Sequence, residues 1–341
     1  MENMLADVYE RLGDEESRRL FTLRVMYCVT GNKEFAREMG IRNPIWQGVL
    51  KLMDENKGHN YLFGAGAFGR DVLSYTPRLW EKILDNNESL HGNMIGGVAV
   101  ALPDSIRGDK EARAYIAARK SNMNYQAAML DQLHGLGVGD EQIIRLDEVV
   151  AEMEGKQYFD LPYLENSGEE VFVDAGCFAG RTSLEFAKWA KKYRHIYCFE
   201  PSAENRKNCK KNLSSLPKDK WTLVPKGAWN KSEMLHFHED FDSSSLSDEG
   251  EIEVPVASID DELRGKGVTF IKMDIEGAES RALEGAKVTI KEEKPKLAIC
   301  VYHRKEDIID IPRQILSYND EYRFYLRHYT FWGEETVLYA I

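Results

Sequence analysis

The feature that most constrains this chain is a run that passes from apolar to acidic to glycine within ten residues: Val171-Phe172-Val173-Asp174-Ala175-Gly176-Cys177-Phe178-Ala179-Gly180. Consecutive apolar positions followed by two glycines four apart read as a strand that breaks into a tight turn and then a helix. Such a strand is apolar on both faces, as in a parallel sheet covered by helices. Further strands are expected at 195–199, 222–224, 270–273 and 297–301, with helices after the first, second, fourth and fifth of the series. Segments 323–328 and 335–341 alternate like two antiparallel strands joined by Phe331-Trp332-Gly333.

A smaller series of the same kind precedes it. Tyr61-Leu62-Phe63 runs into Gly64-Ala65-Gly66-Ala67-Phe68-Gly69 and a helix through Tyr75, and Lys82-Ile83-Leu84 ends at Asp85. An apolar run over 114–118, a helix over about 122–136 and a strand at Ile143-Ile144 complete a Rossmann-like unit. Residues 1–57 read as helices. Asp14 caps one that Gly31 closes, and Asn43-Pro44 opens another that Gly58 ends. That region is expected to pack on the next domain or on a second subunit, so a homodimer is compatible with it. Gly155, Pro162, Asn166, Ser167 and Gly168 mark a linker. The expected division is a helical region 1–57, a Rossmann-like domain 58–158 and a second α/β domain 159–341.

Composition removes several function classes. The chain has 57 acidic against 45 basic residues, a formal charge of −12. Nucleic-acid affinity rests on cationic contacts to phosphate, so no nucleic-acid partner is expected. Five cysteines without a C-x-x-C pair argue for reduced thiols and against a zinc ribbon. The longest apolar stretch is about ten residues where a span needs about 20, and the first residues lack a signal-peptide layout. A cytoplasmic protein without a membrane span is expected.

The chemistry gathers at the strand ends. Gly176 and Gly180 would let the main chain approach a ligand where a Cβ would clash. Their spacing is not that of a dinucleotide loop. Asp174 at the strand tip would receive hydrogen bonds from an ammonium group rather than repel a pyrophosphate. The next strand ends in Phe199-Glu200-Pro201, which places Glu200 to hold both hydroxyls of a ribose. Two such acids without a phosphate cradle suit S-adenosylmethionine better than NAD. A third loop, 271–279, sets Asp274, Glu276 and Glu279 just past the fourth strand. Ligands of open α/β sheets bind outside these carboxyl ends. The helix dipole accounts for Glu279 but less well for Asp274.

In this order, 173–180, Phe199-Glu200-Pro201, Lys226-Gly227-Ala228-Trp229, Ser243-Ser244-Ser245-Leu246, 256–263 with Asp260, and 271–279 resemble the FkbM family of methyltransferases over about residues 168–341. The resemblance implies a class I methyltransferase fold, S-adenosylmethionine as cofactor, and a hydroxyl of a sugar, glycolipid or polyketide as acceptor. Carried onto this sequence, Asp174, Gly176, Cys177, Phe178, Gly180, Glu200, Pro201, Gly227, Ala228 and Asp274 would contact the cofactor. Ser244, Ser245 and Glu276 would contact the acceptor. Cys177-Phe178 departs from the small residue and asparagine common in the family. Residues 61–72, Asp85 and the 96–103 loop resemble the N-terminal Rossmann-like module of sugar acyltransferases acting on nucleotide sugars. That implies a substrate site at Gly64, Gly66, Gly69 and Asp85, with a bare scaffold as the alternative.

A hydroxyl must lose its proton as the methyl group arrives. His303 ends the fifth strand beside Asp274 in the expected sheet, and a near-neutral imidazole suits a general base. His303 and Asp274 are therefore the expected catalytic residues, with His328 the second candidate base. No metal ligand is assigned, and Mg²⁺ is compatible with the acids but not expected. Two other readings stay open. One is an NAD-dependent nucleotide-sugar oxidoreductase using 64–69, which would need a catalytic Tyr/Lys or Cys pair near that loop. The other is a binding protein that keeps the fold without the chemistry.

Overall fold

Val171–Ala175 is buried at every position, as a strand covered on both faces must be. The computed structural model describes residues 2–76, 79–119, 123–238, 245–247 and 252–341. The chain divides into two compact units, Met1–Ala36 with Lys156–Ile341, and Arg37–Gly155.

In the smaller unit the strands are β1 (Asn60–Phe63), β2 (Lys82–Leu84), β3 (Met94–Ile95), β4 (Val98–Ala101), β5 (Arg113–Ile116) and β6 (Ile143–Arg145). They form one sheet in the order β3-β4-β2-β1-β5-β6, parallel except for β3 against β4. Val98–Ala101, read from the sequence as part of a glycine loop, is thus a strand of this sheet. Its Val98 and Val100 are buried while Ala99 and Ala101 are only partly so; four small residues carry too weak an alternation to declare themselves. Leu146–Gly155 is helical, so the expected linker begins after it.

The larger unit holds β7 (Val171–Ala175), β8 (His195–Phe199), β9 (Trp221–Val224), β10 (Gly227–Ala228), β11 (Glu233–His238), β12 (Ser245–Ser247), β13 (Ile252–Ala257), β14 (Phe270–Met273), β15 (Lys296–Cys300), β16 (Phe324–His328) and β17 (Thr336–Ala340). Seven of them make a sheet in the order β16-β17-β15-β14-β7-β8-β9. The five from β15 to β9 are parallel, and β17 runs antiparallel to both its neighbours. The strand order reverses between β7 and β14, which is where open α/β sheets open a crevice. Strands β10 to β13 form a separate small sheet that the sequence pattern did not suggest. Phe172, Phe186 and Phe270 pack under the main sheet, with Phe172 and Phe186 stacked at 4.2 Å. Each such ring contributes about 1.5–3 kcal/mol on burial.

The first helices follow their caps. Asp14 accepts the Ser17 N–H at 2.8 Å and Gly31 takes the left-handed C-cap. These helices do not form one region with those after Ala36. Helix Glu15–Thr30 lies along β16: Ser17 Oγ accepts the Leu326 N–H at 2.9 Å, Asp14 pairs with Arg327 at 2.7 Å, and Arg24 donates to the Tyr302 carbonyl at 3.1 Å. Those partners lie some 300 residues away, and nothing local announces them. Among the described residues no helix is long and apolar enough to cross a membrane.

Candidate active site

The loops at the carboxyl ends of the parallel strands meet one another. A Cβ placed on Gly176 would stand 2.1 Å from the Asp274 carbonyl oxygen, and one on Gly227 within 3.8 Å of Pro201. Glu200 accepts the Phe178 N–H at 2.9 Å. The turns after β7, β8, β9 and β14 are therefore stitched together. Gly176 has φ 76° and is required by this close approach of protein to protein, rather than by room for a ligand. Gly180, also at φ 76°, would press a Cβ on Cys209 and Leu213.

Asp174 is fully buried, and its carboxylate is taken up inside the protein. Ser183 donates to it at 2.7 Å, and Lys272 Nζ stands 3.1 Å away. The position expected to meet an ammonium group of the ligand meets the ammonium of Lys272 instead. Lys272 also donates to the Gly176 carbonyl at 2.8 Å, and so holds the glycine turn from beneath. Burial opposes the charge on Lys272, but Asp174 and Asp274 outweigh it and push its pKa upward. No role was expected of Lys272 from the 271–279 stretch. A lysine inside an otherwise apolar strand was the signal that could have marked it, since buried lysines are nearly always paired.

Cys177 is buried too, with its sulfur 3.6 Å from that of Cys209. Phe178 is the exposed residue of the turn, 65% accessible, with a left-handed φ of 47°. Strain of order 1–3 kcal/mol at such a loop tip is a frequent mark of a ligand site. Glu200 is almost buried and accepts three donors, the N–H groups of Phe178 and Ser202 and the Asn205 amide. Burial raises its pKa while these bonds lower it, and burial prevails. Its Oε2, with the Phe178 N–H as donor, retains acceptor capacity, whereas Asp174 is engaged inside the protein by Ser183 and Lys272.

The loops after β14 and β15 bring the second group together. His303 Nδ1 is 2.9 Å from Glu279, while Nε2 is 3.5 Å from Asp274 and 3.4 Å from Glu276. Tyr158 donates to Asp274 Oδ2 at 3.1 Å and Tyr302 to Oδ1 at the same distance. Neither tyrosine was singled out from the sequence, because Tyr158 lies 116 and Tyr302 28 residues from this carboxylate, and such separations leave no local trace. Burial works against a charged imidazole, but Glu279, Asp274 and Glu276 prevail and push the His303 pKa up to about 9. The ring is thus held protonated at neutral pH, which differs from the near-neutral base expected. Its three acidic neighbours, all from a loop 24–29 positions away in sequence, are the cause. His328 is buried, hydrogen-bonds Thr336 at 2.9 Å, and is driven by burial down to about 3. It is a neutral core residue. Ser244 lies outside the described residues; Ser245 opens β12. Gly227 and Ala228 form β10 against β13.

In the smaller unit, Asp85 accepts the Ala65 N–H at 2.7 Å and the Asn87 N–H at 2.8 Å, so one oxygen fastens the glycine loop and the other the turn that follows Asp85. A Cβ on Gly69 would lie 1.9 Å from the Gly64 carbonyl, which makes that glycine a packing requirement. Gly64 has φ 117° with Ala117 close by, whereas a Cβ on Gly66 meets nothing within 4 Å.

No curated protein matches the chain in sequence. A methyltransferase FkbM from Methylobacillus flagellatus KT is 19% identical, with a TM-score of 0.51 over 96% of this chain and 99% of that one; this likeness is one of fold. Aeropyrum pernix fibrillarin with natively bound S-adenosyl-L-methionine is 9% identical, with a TM-score of 0.37 over 56% of this chain and 74% of its own. Residues 174–331 match the family model described as the methyltransferase FkbM domain. That match begins at Asp174 and takes in the loops that meet at Glu200 and at Asp274 and His303. Residues 174–331 thus carry an FkbM methyltransferase domain, and the chain is an S-adenosylmethionine-dependent methyltransferase.

Proposed function

We propose that this enzyme methylates a hydroxyl of a sugar, a nucleotide-linked sugar or a related polysaccharide or secondary-metabolite precursor. One observation carries the reading: the crevice side of β14 and β15 presents Asp274, Glu276 and His303 together, at 3.4–3.5 Å, next to the turn that holds Phe178 and Glu200. A hydroxylated acceptor is bound best by carboxylates, which accept its hydrogen bonds strongly. Bound S-adenosylmethionine supplies a methyl group on a sulfonium, an electrophile that leaves as a neutral thioether. The chain's own part is to hold and orient. Glu200 takes the ribose hydroxyls, Phe178 covers the turn, Pro201, Gly227 and Ala228 bound the nucleoside side, and Glu276 takes an acceptor hydroxyl. Asp274 stands where the acceptor's proton leaves, and the charged His303 ring beside it holds the acids in place. Alignment of the acceptor oxygen is worth several kcal/mol. The test is transfer of labelled methyl to a panel of nucleotide sugars and glycosides, with the product mapped. A label found only on nitrogen or carbon overturns the hydroxyl reading.

Glu200→Ala tests the cofactor side. Hydrogen bonds to a charged group are worth about 1.5–3 kcal/mol, which is roughly 10- to 150-fold in affinity. Calorimetry should find S-adenosylmethionine weakened by that factor, and Glu200→Gln weakened less, since it can still accept the Phe178 and Ser202 N–H groups. Wild-type affinity in the alanine variant would remove Glu200 from the site. Titration with NADH in the same cell should give no heat, which separates this reading from an oxidoreductase.

For the smaller unit we infer binding of a nucleotide-linked or phosphorylated sugar at the start of helix Ala67–Tyr75, where main-chain N–H groups attract an anion. Gly66 has ordinary extended backbone and open space around its Cα. Gly66→Val should therefore fold normally and obstruct only a ligand. The acceptor KM is expected to rise several-fold with S-adenosylmethionine affinity untouched. Unchanged acceptor kinetics would make the unit a scaffold.

A further inference from the structure

We propose that Asp274, Glu279 and His303 form a site for one divalent cation of the Mn²⁺-to-Zn²⁺ class, with Glu276 at its rim. Each of the three offers a ligand atom, and these atoms lie within 4.8 Å of one another. Donors at about 2.0–2.2 Å from a shared ion stand about 4 Å apart at most, so closure needs a shift of less than an ångström.

A second observation points to a ligand. Glu279 is fully buried, and its Oε2 has no hydrogen-bond partner; the His303 side chain is 9% exposed, and neither ring nitrogen completes an aligned hydrogen bond. Glu279 Oε2 is thus a fully buried acceptor with no hydrogen-bond donor among the described residues, beside an imidazole held only by ion pairs. A buried carboxylate oxygen in that state is costly, and a cation shared with His303 and Asp274 removes the cost. The donor set also names the class. Carboxylates alone suit Mg²⁺ or Ca²⁺, whereas imidazole brings in the later first-row ions. Two carboxylate ligands balance the charge of a divalent ion. The outer layer is built as metal sites require: Tyr158 and Tyr302 hold the two oxygens of Asp274, and the Ile275 N–H holds Glu279 Oε1 at 2.9 Å. Glu276, half-exposed, is the exchangeable ligand that an acceptor oxygen would replace. This role of the ion rests on the hydroxyl-methylation reading: bound to the ion, the acceptor hydroxyl loses its proton more readily, to water. Asp274 and His303 then act on the acceptor through the ion.

The test uses the full chain, chelator-treated and desalted, titrated with MnCl₂ by calorimetry and by electron paramagnetic resonance. One Mn²⁺ per chain is expected. Glu279→Gln and His303→Ala should each weaken it at least tenfold while thermal melts report a folded chain, and Asp310→Asn, on an exposed helix face, should bind as wild type. A wild-type chain that takes up no Mn²⁺, or both site variants binding it unchanged, overturns the proposal. One Mn²⁺ held at these residues in a chain that methylates no hydroxyl leaves the site standing and removes the acceptor reading instead.

Discussion

Lys272→Met is expected to destabilise the methyltransferase domain by about 3–5 kcal/mol, the range for breaking a buried ion pair on one side. The side chains of Lys272 and Asp174 are 2% and 0% exposed, and their charges stand 3.1 Å apart. Methionine keeps the volume of the lysine stem, so packing is largely spared. What is lost is the charge opposite Asp174 and the donor to the Gly176 carbonyl. The remaining carboxylate cannot reach water, and Ser183 supplies its one other donor. The strand-turn-helix of β7 then loses its brace, and cofactor affinity should fall with stability. A second variant makes the argument testable even if Lys272→Met does not fold. The double change Asp174→Asn with Lys272→Met removes both charges, and it should recover much of the loss, because replacing a whole buried pair is often close to neutral. The measurement is urea unfolding of all four members of the cycle. Additive effects, with the double variant worse than either single one, would mean that the two side chains do not act as a pair.

His303→Ala is expected to lower turnover by about 10²–10⁴-fold, the usual contribution of a positioned proton-transfer group, here Asp274, which the His303 ring holds from 3.5 Å. S-adenosylmethionine affinity should barely change, since His303 contacts the loop acids and not the turn after β7. The stability effect has the same electrostatic sign as that of Lys272→Met, since both remove a cation that faces carboxylates. Removing His303 takes a positive ring from between Asp274, Glu276 and Glu279 and leaves three carboxylates facing one another, which repel. The variant should therefore melt earlier, with the deficit fullest below the ordinary imidazole value of 6.5 and fading as the pH rises through about 9, where wild-type His303 loses its proton. Single-turnover kinetics with saturating cofactor separate the chemical step from binding. Wild-type turnover in the variant would exclude His303 from the reaction under either the proton-transfer or the cation-bound reading.

How much of this was written locally can be judged residue by residue. The strands 195–199 and 270–273 coincide with β8 and β14, and the glycine turn, Glu200, Asp274 and His303 could all be placed at strand ends. Each rests on a short-range signal: a buried parallel strand is a continuous apolar run, a turn needs glycine, and the residue after the run is at the carboxyl end. Asp14 as a helix cap is of the same kind, since its partner Ser17 is three positions away. The ribbon of β3 and β4 and the small sheet of β10 to β13 were missed because strands of two to six residues with mixed composition carry little periodicity.

The sequence by itself determined the α/β architecture, the two βα series and the loops that carry the chemistry, because alternation, glycine and chain direction are local properties. Only the tertiary structure decided what those residues face. It turned Asp174 inward to Lys272, 98 positions away. It set helix Glu15–Thr30 on β16, and it surrounded His303 with three carboxylates that hold it charged. Ion pairs and pKa values depend on distance and burial in space, and a chain that folds back across a hundred or three hundred residues leaves those distances unwritten in its order.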